Sequence, residues 1–188
     1  YGPDVARRGS FASNCLLARR LSERGVRFVQ LLHSGWDQHG NLPTQLKQQC
    51  IDTDQPSAAL VKDLKQRGLL DTTLVHWGGE IGRLPVTQNH GAAKKAGRDH
   101  NGQGFSIWLA GGGIKPGMTY GQTDEFGHRA VENIVTPNDF QATVMHQFGI
   151  DHNQLVYHHN GQEQVITNKR KARLVTGILQ NPPPTPSA

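Results

Sequence analysis

Cysteine is nearly absent from this chain: Cys15 and Cys50 are the only two in 188 residues, and neither sits in a Cys-x-x-Cys spacing. That excludes a disulfide framework and leaves both as small buried side chains. Aromatic residues make up 6% of the chain and apolar residues of all kinds 35%. No apolar run approaches the roughly 18 residues of a membrane span. An initiator methionine and a signal-like opening are also missing at Tyr1, which reads as a processed form or a fragment. Acids are outnumbered, with 15 Asp and Glu against 20 Lys and Arg, a formal charge of +5. Such a balance brings a polyanionic partner into question. The basic residues are nevertheless scattered, the densest groups being Lys94-Lys95 with Arg98 and Lys169-Arg170-Lys171. They lack the interleaved aromatics of a single-strand binder, so nucleic acid is disfavoured.

What the chain does have is glycine, 22 residues of it, with 10 prolines and 10 histidines. Its length is a prior for one domain with a core of its own. The glycine and proline place much of that domain in loops. We read residues 1–180 as one α/β unit, and residues 181–188, with four prolines, as a disordered tail. The sequence carries no signal for oligomeric state and no internal repeat.

Local signals mark the elements. Ser10 is a plausible N-cap for a helix through Phe11, Cys15, Ala18 and Leu21, and Gly25 ends it. The run from Val26 to His33 follows, apolar and β-branched, and reads as a buried strand. Asp52 to Pro56 offers capping oxygens and a first-turn proline, opening a helix that stops at Gly68. Thr73 to Trp77 and Phe105 to Ala110 read as further strands. A polar stretch from 86 to 104 separates them, long enough to read as functional. Gly111 to Gly113 reads as a tight turn, since a phosphate cradle would require a following Gly-Lys-Ser/Thr. Thr136-Pro137-Asn138-Asp139 opens the best-marked helix, and Asn160-Gly161 marks a hairpin turn. Helix and strand alternate as in a parallel α/β sheet.

Three strand exits carry chemistry. Gly35-Trp36-Asp37-Gln38-His39-Gly40-Asn41 follows the first strand and delivers an acid and an imidazole to its carboxyl end, where open α/β sheets put their sites. Glu80 follows the second, among glycines that allow close backbone approach. Arg98-Asp99-His100 precedes the third. Carboxylate and imidazole together suit a divalent cation, with Zn, Ca, Mg and Mn all open. Asp37, His39, Glu80 and His100 are therefore the candidate metal ligands. Arg98 and Asp99 are the candidate catalytic pair, the arginine compensating charge on the non-bridging oxygens of a phosphoryl or sulfuryl group. Arg83 is a second anion contact with a weaker case, and His90 a loop contributor. Each cluster taken singly also fits a solvated surface group: a capping carboxylate at Asp37, an Arg-Asp ion pair at 98–99.

These motifs, with Thr53-Asp54-Gln55-Pro56 and Ala110-Gly111-Gly112-Gly113-Ile114-Lys115-Pro116-Gly117, closely resemble the carboxyl-terminal portion of an uncharacterised bacterial sulfatase-like family, a domain of unknown function placed in the alkaline phosphatase superfamily. The resemblance runs from about Tyr1 to Leu155. It implies a three-layer sandwich with a mainly parallel sheet, present here only in its carboxyl-terminal part. It also implies one or two divalent cations, hydrolysis of sulfate or phosphate esters by a nucleophile lying upstream, and an exported, periplasmic address. On that implication Asp37 and His39 form one ligand pair, Glu80 stands at the next acidic ligand and His100 at the late histidine. The partner would be an anionic ester substrate, sulfated polysaccharide among the candidates. This sequence departs from the resemblance at Glu80-Ile81-Gly82-Arg83-Leu84, where Glu-Phe-Gly-Arg-Thr is usual, and after Tyr157. From a different class, a non-catalytic module holding sulfated or phosphorylated polysaccharide or a protein partner is the alternative.

Overall fold

The computed structural model describes residues 1–88, 95–167 and 171–183. Helix α1 (Phe11–Glu23) begins where the capping signal put it: the Ser10 hydroxyl oxygen accepts from the Ser13 amide at 3.0 Å. Its buried stripe is Ala12, Cys15, Ala18 and Arg19, and the first three are small side chains that let α2 (Leu42–Gln66) approach closely. Arg19 is buried with its charge matched, donating from Nε to Asp63 Oδ2 at 2.9 Å. Asp63 also accepts from Arg67 at 2.7 Å and from the Tyr1 hydroxyl at 2.9 Å. Burial pushes the Asp63 carboxyl up, and these donors outweigh it and hold the group below its ordinary value.

Helix α2 starts ten residues before the expected Asp52 opening and carries Pro56 in its interior. Proline there removes one helical donor. The Thr53 hydroxyl donates to the Gln49 carbonyl at 2.8 Å, and Gln48 donates to the Asp52 carboxylate at 2.9 Å. The Asp52 to Pro56 residues that resemble a start signal thus sit within a continuous helix.

Eight short strands follow: β1 (Val75–Trp77), β2 (Gly82–Arg83), β3 (His100–Asn101), β4 (Trp108–Ala110), β5 (Gln122–Thr123), β6 (Ala130–Glu132), β7 (Val156–His159) and β8 (Gln162–Val165). Among the described residues they form four two-stranded antiparallel sheets, β1 with β4, β2 with β3, β5 with β6 and β7 with β8. The expected three-layer sandwich with a mainly parallel sheet is not the fold. Parallel neighbours need a crossover of a dozen or more residues, usually a helix. Between β1 and β4 the described chain instead carries the β2–β3 pair. The buried strand expected at Val26 to His33 does not form either. Residues 27–34 make no main-chain hydrogen bond among the described residues, and Phe28 and Leu32 are 74% and 83% exposed.

Helix α3 (Pro137–Gln147) starts where Thr136-Pro137-Asn138-Asp139 marked it and carries a complete capping box, the Thr136 hydroxyl oxygen accepting from the Asp139 amide and the Asp139 carboxylate from the Thr136 amide. It anchors the last segment: Asp139 accepts from the Arg173 amide at 2.8 Å, and the Thr143 hydroxyl from the Val175 amide at 2.9 Å. Gly111, Gly112 and Gly113 all have positive φ. A Cβ on Gly111 would sit 2.2 Å from the Leu70 carbonyl oxygen, so this is the tight turn expected. No helix among the described residues is long and apolar enough to cross a membrane.

Candidate metal centre

Two loops and one strand pair meet here. The 37–40 loop lies against residues 96–98, the Arg98 amide donating to the Gln38 carbonyl at 3.1 Å and the Leu42 amide to the Ala96 carbonyl at 2.9 Å. Gly97 makes this approach possible, since a Cβ there would fall 2.0 Å from the His39 carbonyl carbon. From the other side β2 pairs with β3 so that Arg83 stands directly across from His100. Cross-strand partners project from the same face, and the arginine and the histidine both reach Asp37.

Asp37 Oδ1 is the focus. His100 Nε2 lies 2.9 Å from it and His39 Nε2 3.0 Å, and the Arg83 guanidinium donates to the same oxygen. The His39 and His100 rings are tilted against each other with centroids 4.9 Å apart. Ligand atoms of Asp37, His39 and His100 all lie within 4.8 Å of one another, the one such cluster among the described residues. Hydrogen bonds from His100 first, and then from Arg83, hold the Asp37 carboxyl down at about 2, although its side chain is 68% exposed.

The His39 ring is oriented from behind. Its Nδ1 lies 2.7 Å from the Gln88 amide oxygen, which can only accept, so the Nδ1 proton points there. A neutral imidazole in that tautomer aims its Nε2 lone pair at Asp37 Oδ1. Nitrogen and oxygen 3.0 Å apart then present lone pairs to each other, an arrangement suited to a shared cation. Asp99 adds negative charge nearby, 3.9 Å from His39 Nδ1, and accepts from the His100 amide at 2.8 Å. One carboxylate and two imidazoles with carboxamide and carboxylate support behind them form a donor set that fits zinc or manganese better than calcium or magnesium, which favour oxygen.

Asp37, His39 and His100 are thus brought together, with Asp99 behind them. Glu80 is exposed in the turn after β1 and stands outside the cluster. The Arg98 guanidinium is turned onto the Leu84 carbonyl at 3.1 Å, bracing the strand exit, and it is Arg83 that reaches the carboxylate. His90 and Lys94 lie outside the described residues. Gln88 went unnoticed in the sequence, where an isolated glutamine carries no signal of its own, and Gly97, which opens the Gly97-Arg98-Asp99-His100 motif, was given no part in the site. Two other histidines play structural parts: His33 Nδ1 accepts from the Trp36 indole at 3.1 Å, and burial against Phe140 pushes the His76 imidazole down.

The fold and cluster together define a small α-plus-β protein with a two-histidine, one-carboxylate constellation on a loop–strand junction. A family model for proteins of unknown function, DUF1501, matches residues 1–179, and the chain belongs to that family. The likeness to a sulfatase-like family of the alkaline phosphatase superfamily is corrected by this result, because no family model of either kind matches. The shared glycine-flanked motifs are short, and the folding pattern they implied is absent. No curated protein and no solved structure matches the chain.

Proposed function

We propose that this protein binds one divalent cation, zinc or manganese, through Asp37, His39 and His100, and that the site serves hydrolysis of a sulfate or phosphate ester. What supports the reading is the pair of imidazole nitrogens at 2.9 and 3.0 Å from one carboxylate oxygen. A tetrahedral site with ligand bonds near 2.0–2.1 Å needs donors about 3.3 Å apart, a small expansion of that arrangement. Bound there, such an ion supplies Lewis acidity toward an ester oxygen. Asp37 contributes the charge, the two histidines neutral nitrogens, and Gln88 with Asp99 the orientation of the rings. Arg83 supplies positive charge on the side from which an anionic ester would arrive.

The test is metal stoichiometry and affinity by calorimetry with Zn²⁺ and Mn²⁺, followed by turnover of 4-nitrophenyl sulfate and 4-nitrophenyl phosphate. One equivalent should bind to the native chain, and Asp37→Asn or His100→Ala should weaken it at least tenfold. Failure to bind either ion would end the metal reading. Binding without turnover of either ester would leave the cation site and remove catalysis, in favour of a module that holds anionic ligands.

A further inference from the structure

We propose that Arg83 turns the cation site into a combined cation and oxyanion site, so that a tetrahedral anion such as sulfate or phosphate and the metal ion strengthen each other's binding. The inference rests on the cation reading above.

Its basis is the way the guanidinium is held. Nη2 donates to the Trp36 carbonyl at 3.1 Å and Nη1 to the Arg98 carbonyl at 3.1 Å. Those two acceptors belong to the two loops that form the site walls, and both are uncharged. They fix the position of the guanidinium without neutralising it. The β2–β3 register, Arg83 opposite His100, sets the same position independently. Asp37 is the only carboxylate that touches Arg83 among the described residues, and the oxygen it offers is the one shared with His39 and His100.

A cation seated between Asp37 and the two imidazoles draws on that same oxygen. The guanidinium then loses its counter-charge and stays clamped beside a divalent ion. Two positive centres side by side repel, which lowers cation affinity. An oxyanion with one oxygen on the metal ion and another on the guanidinium relieves both charges, and Arg presents paired donors in the planar fork that such anions match. The Arg98 guanidinium, turned onto the Leu84 carbonyl, is not aimed at this locus.

Coupling between two ligands is reciprocal. If the cation creates the anion locus, the anion must raise cation affinity by the same factor. The measurement is Zn²⁺ affinity by competition with a chromogenic chelator, in sodium sulfate and in sodium perchlorate at matched ionic strength. For the native chain sulfate should raise Zn²⁺ affinity about tenfold, within the usual range of such couplings. Arg83→Gln should bind Zn²⁺ at least as tightly as the native chain in perchlorate and gain nothing from sulfate. Arg83→Lys keeps the charge but not the fork and should retain a smaller sulfate effect. That variant carries the test if circular dichroism shows Arg83→Gln to be unfolded. Arg20→Gln, an exposed charge on α1, should behave as native. A native chain that binds Zn²⁺ without any sulfate effect, or a folded Arg83→Gln that keeps the full effect, overturns the coupling and leaves the cation site standing. A native chain that binds no Zn²⁺ overturns the cation reading itself, a different result from either.

Discussion

At the scale of single residues the centre depends on a position with no functional group. Gly97 is buried, and a Cβ on it would meet His39 C at 2.0 Å, His39 O at 2.1 Å and Gly40 N at 2.4 Å, all main-chain atoms that cannot rotate away. Gly97→Ala must therefore push the 37–40 loop off residues 96–98 and carry His39 away from Asp37. Overpacking of this kind commonly costs about 1–3 kcal/mol, and here it falls on the ligand geometry as well. We expect Gly97→Ala to lose Zn²⁺ binding, whereas Gly102→Ala, whose Cβ would meet nothing within 4 Å, leaves it unchanged. Equal affinities of the two variants by calorimetry would contradict the close-approach argument. Asp37, His39 and His100 drew notice in the sequence, because an acid and a histidine two apart among glycines stand out, as does Asp99-His100, whereas Glu80, singled out with them, lies outside the cluster. Arg83 ranked below Arg98 for a physical reason. Which of two arginines reaches a carboxylate depends on strand register and on which carbonyls take the other guanidinium, and neither is written in residue spacing.

At the scale of elements, what could be read was what is local. The Ser10 cap, the Thr136–Asp139 box and the Asn160-Gly161 turn each specify a few residues of backbone, and α1, α3 and the β7–β8 hairpin follow from them. Pairing between distant strands was not readable: the run from Val26 to His33 has strand composition and no strand beside it, and strand propensity expresses fit to neighbours more than any intrinsic preference. The Asp139 network tests how far a local cap reaches. Its carboxylate, 5% exposed as a residue, serves both the Thr136 and the Arg173 amides. Burial opposes its ionisation, and the Arg173 and Thr136 hydrogen bonds outweigh that and keep it below its ordinary value. Asp139→Ala would leave two main-chain donors unsatisfied at about 1–3 kcal/mol each. The expected result is faster hydrogen exchange at the Arg173 and Val175 amides, with the α1 amides unchanged. Exchange that quickened equally in both places would mean that the last segment and α1 unfold as one unit.

At the scale of the whole molecule, the accessible surface is 13288 Å² for 20.7 kDa, where a folded monomer of that mass exposes about 8,900 Å². The core is correspondingly thin. Its buried apolar members include Ala12, Ala18 and Ala142, and among the largest fully buried side chains of the described residues only Leu64 and Leu179 are sizeable hydrophobes. Apolar side chains that would thicken it, Phe28, Leu32 and Phe126, are 74%, 83% and 71% exposed. Hydrophobic burial is the main favourable term in folding, and a chain that leaves so much of it unused has little to bind its separate sheets into one cooperative unit. The 188-residue chain taken alone should therefore bind the dye ANS at neutral pH and melt over a broad range, with a calorimetric enthalpy well below the roughly 0.7 kcal/mol per residue of ordinary globular proteins near 60 °C. The α1–α2 pair, held by the Arg19–Asp63 and Arg67–Glu23 ion pairs, should be the last part to lose structure. A sharp two-state transition of full enthalpy with no ANS signal would contradict the thin-core argument.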